Sequence, residues 1–110
     1  MLSFSVLASE WIEIFSTTIN GEGIVVYIDS ESIQRRGDTA NAWLKMEFTT
    51  EPVMFAVSYY LVDCKERTFS ILETTLYNES GHPIATFKSS EKDFIIPDTF
   101  SDFLYRLLCR

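Results

Sequence analysis

Two cysteines, Cys64 and Cys109, constrain this chain more than any other residues in it. Cys64 follows the most apolar strand pattern of the sequence, and Cys109 is the next-to-last of 110 residues, at the end of a helical pattern. Joined, they would pin a C-terminal helix to one end of a sheet. Closing so long a loop would restrict the unfolded chain by about 4 kcal/mol. The other reading is a pair of reduced, buried thiols in a cytosolic protein. No C-x-x-C pair or Cys/His cluster accompanies them, so neither is expected to hold a metal. A chain of this length makes one domain with a single modest core and a small net stability, so a covalent clip would matter.

Six segments read as strands. Trp11–Thr18 is rich in β-formers and leads to Asn20-Gly21, a pair that tolerates the positive φ angles of a tight hairpin. Ile24–Ile28 is the return strand, Asp29 is placed to cap a short helical turn, and Arg35-Arg36-Gly37-Asp38 reads as the next turn. Thr39–Phe48 alternates cleanly. Ala40, Ala42, Leu44, Met46 and Phe48 share one face, while Asn41, Trp43, Lys45 and Glu47 share the other. Val53–Val62 is apolar on both faces apart from Ser58, the pattern of a central strand covered on two sides. Thr68–Asn78 and Pro83–Lys88 complete the set across the turn Glu79-Ser80-Gly81-His82, and Ser89–Asp93 is a polar loop.

A helix is expected over Thr99–Leu108, where Thr99 and Asp102 have the spacing of a capping box in acidic form. Phe100, Phe103, Leu104, Leu107 and Leu108 recur at helical spacing as one apolar stripe. Cys109 falls about 100° beyond Leu108 on the wheel, so a bridge requires the helix to stop near Leu108. The predicted fold class is α+β, an antiparallel sheet of about six strands with a C-terminal helix packed on one face.

Sixteen Asp and Glu against nine Lys and Arg leave a net charge of −7. Such a surface repels phosphate backbones and anionic headgroups, which argues against nucleic acid and membrane surfaces as partners. It would attract a basic protein surface in a salt-dependent way. No apolar run approaches the roughly 18 residues of a membrane-spanning helix. Met1–Ala8 is largely apolar and ends in Val6-Leu7-Ala8, which fits the small-residue rule for cleavage. It reads as a signal-peptide remnant over residues 1–8, ahead of a single domain at 9–110; the alternative is an ordinary first strand or a frayed terminus.

Chemistry is sparse. The single histidine, His82, lies in a Gly-His-Pro turn and reads as a solvated loop residue. Asp63 and Glu66 flank Cys64-Lys65 as a mixed charge run at a strand end. No phosphate-binding glycine loop, metal-spaced ligand set or cofactor motif appears, so no enzyme activity, metal or cofactor is expected. Asn78-Glu79-Ser80 is formally a glycosylation sequon. Aromatics make up 15% of the chain, and Trp11, Phe15 and Trp43 are candidates for the sheet face away from the principal core. With Arg35 and Arg36 they are the candidate partner-binding residues. Cover by the helix or a neighbouring loop is the competing account of those aromatics.

Several stretches together resemble a known family. They are Tyr27-Ile28-Asp29-Ser30-Glu31-Ser32-Ile33 with the glycine turn and the Trp43 strand after it, Asp63-Cys64-Lys65-Glu66-Arg67-Thr68-Phe69, and Pro97-Asp98-Thr99 with the closing helix and Cys109. In order and spacing they look like the bacterial surface-adhesin protein E family, from about Trp11 to Cys109. The resemblance implies a six-stranded antiparallel sheet with the C-terminal helix held across it by a Cys64–Cys109 disulfide. It implies an exported protein of a Gram-negative bacterium, in the periplasm or at the cell surface, without catalytic residues. The implied partner is a protein of the host extracellular matrix or of serum; an envelope protein and a second copy of the chain are further candidates. A periplasmic inhibitor of a basic enzyme such as lysozyme is the competing function.

Overall fold

Asn20 and Gly21 both take positive φ, 51° and 82°, the backbone of a two-residue turn whose twist matches that of a hairpin. They join β1 (Trp11–Ile19) to β2 (Glu22–Asp29). The computed structural model describes residues 10–49 and 54–110; the signal-like stretch 1–8 and the expected strand start at Val53 lie outside the described residues. After β2 come a 3-10 turn (Ser30–Ser32), β3 (Gln34–Arg36), β4 (Thr39–Phe48) and β5 (Met54–Asp63). The chain continues through β6 (Thr68–Tyr77), β7 (Pro83–Lys88), β8 (Asp93–Phe94) and α1 (Phe100–Leu108). The long strands lie in the order β1-β2-β4-β5-β6-β7, with β3 beside β4 and β8 beside β6. Every pairing is antiparallel. The six strands curl into a half-barrel, and the expected α+β class is observed.

Two elements differ from the sequence reading. Arg35 and Arg36 do not belong to a turn: they are in β3, which pairs Gln34 to Arg36 with Asn41 to Thr39 and leaves only Gly37-Asp38 as the turn. Asp93 closes the expected polar loop by pairing with Phe69, beside Phe94 on Thr68. Strands of three and two residues are too short to show a period, so their pairing depends on the neighbours they meet.

The alternation in β4 sets the two faces of the sheet. Ala40, Ala42 and Leu44 are buried, and the residues opposite them, Val62 and Tyr60 on β5 and Ile28 on β2, are buried with them. Helix α1 covers this face with Leu104 and Leu108, joined by Ile95 from the segment before it. Ala40 and Ala42 show no accessible surface and lie in the same buried cluster as Leu104 and Leu108. Phe103 departs from the expected stripe: it is 39% exposed, at the margin of the helix contact.

Cys64 and Cys109 are bonded, with S–S 2.02 Å and Cα–Cα 5.6 Å. The helix stops at Leu108, and Cys109 is its C-cap, with its N–H donating to the Tyr105 carbonyl at 2.8 Å. That early stop resolves the 100° offset of the cysteine from the apolar stripe. Two more ties hold the same end. The Tyr105 hydroxyl donates to the Cys64 carbonyl at 3.1 Å, and Arg35 Nη1 donates to the carbonyls of Leu108 and Arg110 at 3.1 and 3.2 Å.

At the other end of α1, Thr99 is the N-cap and its Oγ1 accepts from the Asp102 N–H. Asp102 reaches back past the cap to accept from the Asp98 N–H at 3.0 Å, and Arg106 pairs with it at 3.2 Å. The Asp98 N–H bond holds the Asp102 carboxyl below its ordinary pKa of 3.8, with the Arg106 hydrogen bond and charge adding to the effect and burial opposing it. A carboxylate favoured in the folded state stabilises the fold above its unfolded pKa, and that contribution is lost as pH falls through the lower folded value. Asp102→Asn should therefore lower the melting temperature at neutral pH. In thermal melts the gap to wild type should close only below pH 3.8.

Candidate functional site

The face of the sheet that α1 leaves bare carries most of the aromatic side chains of the long strands. Register fixes its membership: on β4 it holds Asn41, Trp43, Lys45 and Glu47, and opposite them on β5 stand Leu61, Tyr59, Val57 and Phe55. Tyr27 of β2 pairs with Lys45, and Tyr77, Thr75 and Glu73 of β6 continue the rows from Phe55, Val57 and Tyr59. Trp11 joins from β1, opposite Asp29.

The side chains hold one another in place. Trp43 and Tyr59 have ring centroids 4.8 Å apart, and Phe55 stacks on Tyr77 at 4.8 Å with 10° between the planes. Lys45 lies among rings, its Nζ 5.2 Å from the Trp11 centroid, 5.1 Å from Tyr27 and 5.8 Å from Phe55. The electron-rich faces of those rings attract the ammonium group, and Glu47 balances its charge at 3.6 Å. The Tyr27 hydroxyl donates to Glu47 Oε1 at 3.0 Å. That bond to a carboxylate favours the neutral phenol and raises the Tyr27 pKa above its ordinary value, with burial and the charges of Glu47 and Glu13 adding to it.

Trp43 is fixed at the backbone by a device the sequence did not suggest. β2 and β3 both lie along the same edge of β4, β2 against Leu44 to Phe48 and β3 against Thr39 to Asn41. The 3-10 turn between them leaves a gap in the ladder opposite Trp43. Ser32 fills it: its Oγ accepts from the Trp43 N–H at 2.9 Å and donates to the Asp29 carbonyl at 2.8 Å. Asp29 caps the turn as expected, its Oδ1 accepting from the N–H groups of Glu31 and Glu10. The Tyr27–Ile33 stretch is thus the segment that positions Trp43.

Of the five candidate contact residues, Trp11, Trp43 and Arg36 belong to this face or its rim by register, and two do not. Phe15 lies on the helix side, its ring 5.5 Å from Phe100 and 6.0 Å from Phe103. A bulge at Ile14 is the reason: Glu13 still pairs with Tyr27, but Phe15 pairs with Val26, so the alternation begun at Trp11 slips by one. Arg35 also points to the helix side, where it binds the end of α1. Lys45, Tyr27, Phe55, Tyr59 and Tyr77 were missed. The alternation of Phe55, Val57 and Tyr59 along β5 was the available signal for three positions of this face.

A hollow of about 370 Å³ opens on this face between β1 and β6, with Trp11, Trp43, Tyr77, Asp29 and Glu73 in its lining. Among the described residues no group of His, Cys, Asp or Glu is arranged to hold a metal, and no helix is long and apolar enough to cross a membrane. His82 is exposed in its turn, with its N–H bonded to Asn78 Oδ1.

A family model described as surface-adhesin protein E matches residues 11–110. The chain belongs to the surface-adhesin protein E family. The match takes in both the disulfide and the aromatic face of this adhesin-type chain. No curated protein and no solved structure matches the chain.

Proposed function

We propose that this surface-adhesin-type chain is an exported, non-enzymatic binding domain that takes a protein partner on the sheet face opposite α1. The observation that supports this most is the pair of ring contacts Trp43–Tyr59 and Phe55–Tyr77, beside the Trp11, Tyr27 and Phe55 rings around Lys45, on the side that the helix leaves bare. Rings locked by their neighbours lose little freedom on binding, and Trp and Tyr dominate the energetics of protein interfaces. Trp43 and Trp11 are the proposed central contacts and Arg36 a rim contact. The partner class is a protein of the extracellular matrix, of serum or of a Gram-negative envelope, with the domain in the periplasm or at the cell surface.

The test compares two aromatic deletions against immobilised matrix, serum and envelope proteins. Trp43→Ala should weaken capture at least about tenfold, the loss expected of an interface hot spot. Phe87→Ala removes a ring that is 58% exposed on β7, on the helix side of the sheet, and should leave capture unchanged. If Phe87→Ala abolishes capture and Trp43→Ala retains it, the partner docks on the other side and the proposal fails.

A further inference from the structure

We propose that the hollow between Trp11, Trp43 and Tyr77 receives a basic side chain, an arginine or lysine of the partner; this rests on the preceding reading that a protein docks on this face. Three features of the hollow converge on a cation. The first is its walls, two indoles and a phenol, whose faces attract positive charge. The second is its carboxylates. Asp29 is 8% exposed, its Oδ1 fixed by two backbone N–H groups at 2.9 and 3.1 Å, and its Oδ2 has no partner among the described residues. Glu73, in register between Tyr59 and Lys88, forms no ion pair among the described residues.

The third is that the same face already holds one cation in this manner. Lys45 lies 5.1 to 5.8 Å from three ring centroids with Glu47 as its counter-charge. Its charge is thereby balanced within the chain, and it does not neutralise Asp29 or Glu73. An acidic ligand would meet Asp29 and Glu73, neither of them in an ion pair among the described residues, in a chain of net charge −7, whereas a guanidinium or ammonium group would pair with them. Aromatic walls also cover the aliphatic stem of such a side chain.

The chain contains two tryptophans, and both line the hollow, so their indole N–H resonances report on it directly. Titration of the full chain with a short oligo-arginine peptide should shift both indole signals to saturation, and added salt should reverse the shift. An oligo-glutamate peptide should shift neither. Glu73→Gln should weaken arginine-peptide binding roughly threefold to tenfold, and Thr75→Arg, which places a cation of the chain itself in the hollow, should abolish it. Equal response to both peptides, or unchanged affinity in Glu73→Gln with a folded spectrum, overturns the proposal. On the immobilised partner, lost capture by Trp43→Ala with full capture by Glu73→Gln keeps the face and overturns the cation pocket. Full capture by both variants overturns the docking face, and the peptide titration then decides the pocket by itself.

Discussion

Replacing Cys64 and Cys109 together with alanine is expected to lower the unfolding free energy by about 4 kcal/mol, as the chain-entropy account of a 45-residue separation gives. That is a large part of the roughly 5–15 kcal/mol that holds a small domain folded. The fold should survive, because other ties fasten the same helix end: the Tyr105 hydroxyl on the Cys64 carbonyl, Arg35 on the carbonyls of Leu108 and Arg110, and the Arg67 guanidinium 4.6 Å from the Tyr105 ring centroid. In urea titrations the double variant should unfold cooperatively at a lower midpoint. An unchanged midpoint would mean that packing alone fixes α1 and that the bridge adds nothing. Collapse to an unfolded chain in buffer would mean that those ties form only once the bridge has placed the helix.

The β4 strand was legible in full because every second residue from Ala40 to Phe48 is apolar and its other face is mixed, a period that admits one orientation only. The helix was legible for the same reason, with Thr99 and Asp102 marking its start. What periodicity could not show is where periodicity breaks. The bulge at Ile14 moves Phe15 from the Trp11 face to the helix side, and a second bulge at Leu72 shifts β6 against β5 in the same way. An added residue in a strand has no composition of its own; it shows only when partners are paired.

The site was legible in part. Trp43 stood out as a large ring on the polar side of β4, and its position holds. Its neighbours did not stand out. Phe55 and Tyr59 sit in a strand apolar enough to read as core on both faces, Tyr77 ends a strand read only as long, and only the register shows which rings meet. Arg35 illustrates the opposite error. A basic pair beside a glycine turn looks like a free surface, yet Arg35 is spent on the carbonyls at the C-terminal end of a helix 73 residues further along. Helix carbonyls left without N–H partners attract such a donor, and no local pattern announces it.

Leu104→Ala should cost about 2–5 kcal/mol, the range for a large-to-small change at a buried site that can relax only in part. Leu104 has no accessible surface and sits in the cluster of Ala40, Ala42, Val62 and Leu108. The alanines cannot lengthen to fill the space, so a cavity should remain between helix and sheet. Phe103→Ala is the informative contrast, because Phe103 lies one residue away on the same helix and removes a larger side chain. It is 39% exposed, and its ring pairs with Phe15 and Phe100 at 6.0 and 6.2 Å between centroids. Its loss should cost about 1 kcal/mol, the scale of an aromatic pair contact. Urea midpoints of the two variants settle the order. If Phe103→Ala proves as costly as Leu104→Ala, the helix is rotated toward Phe15 and the buried line of α1 does not run through Leu104.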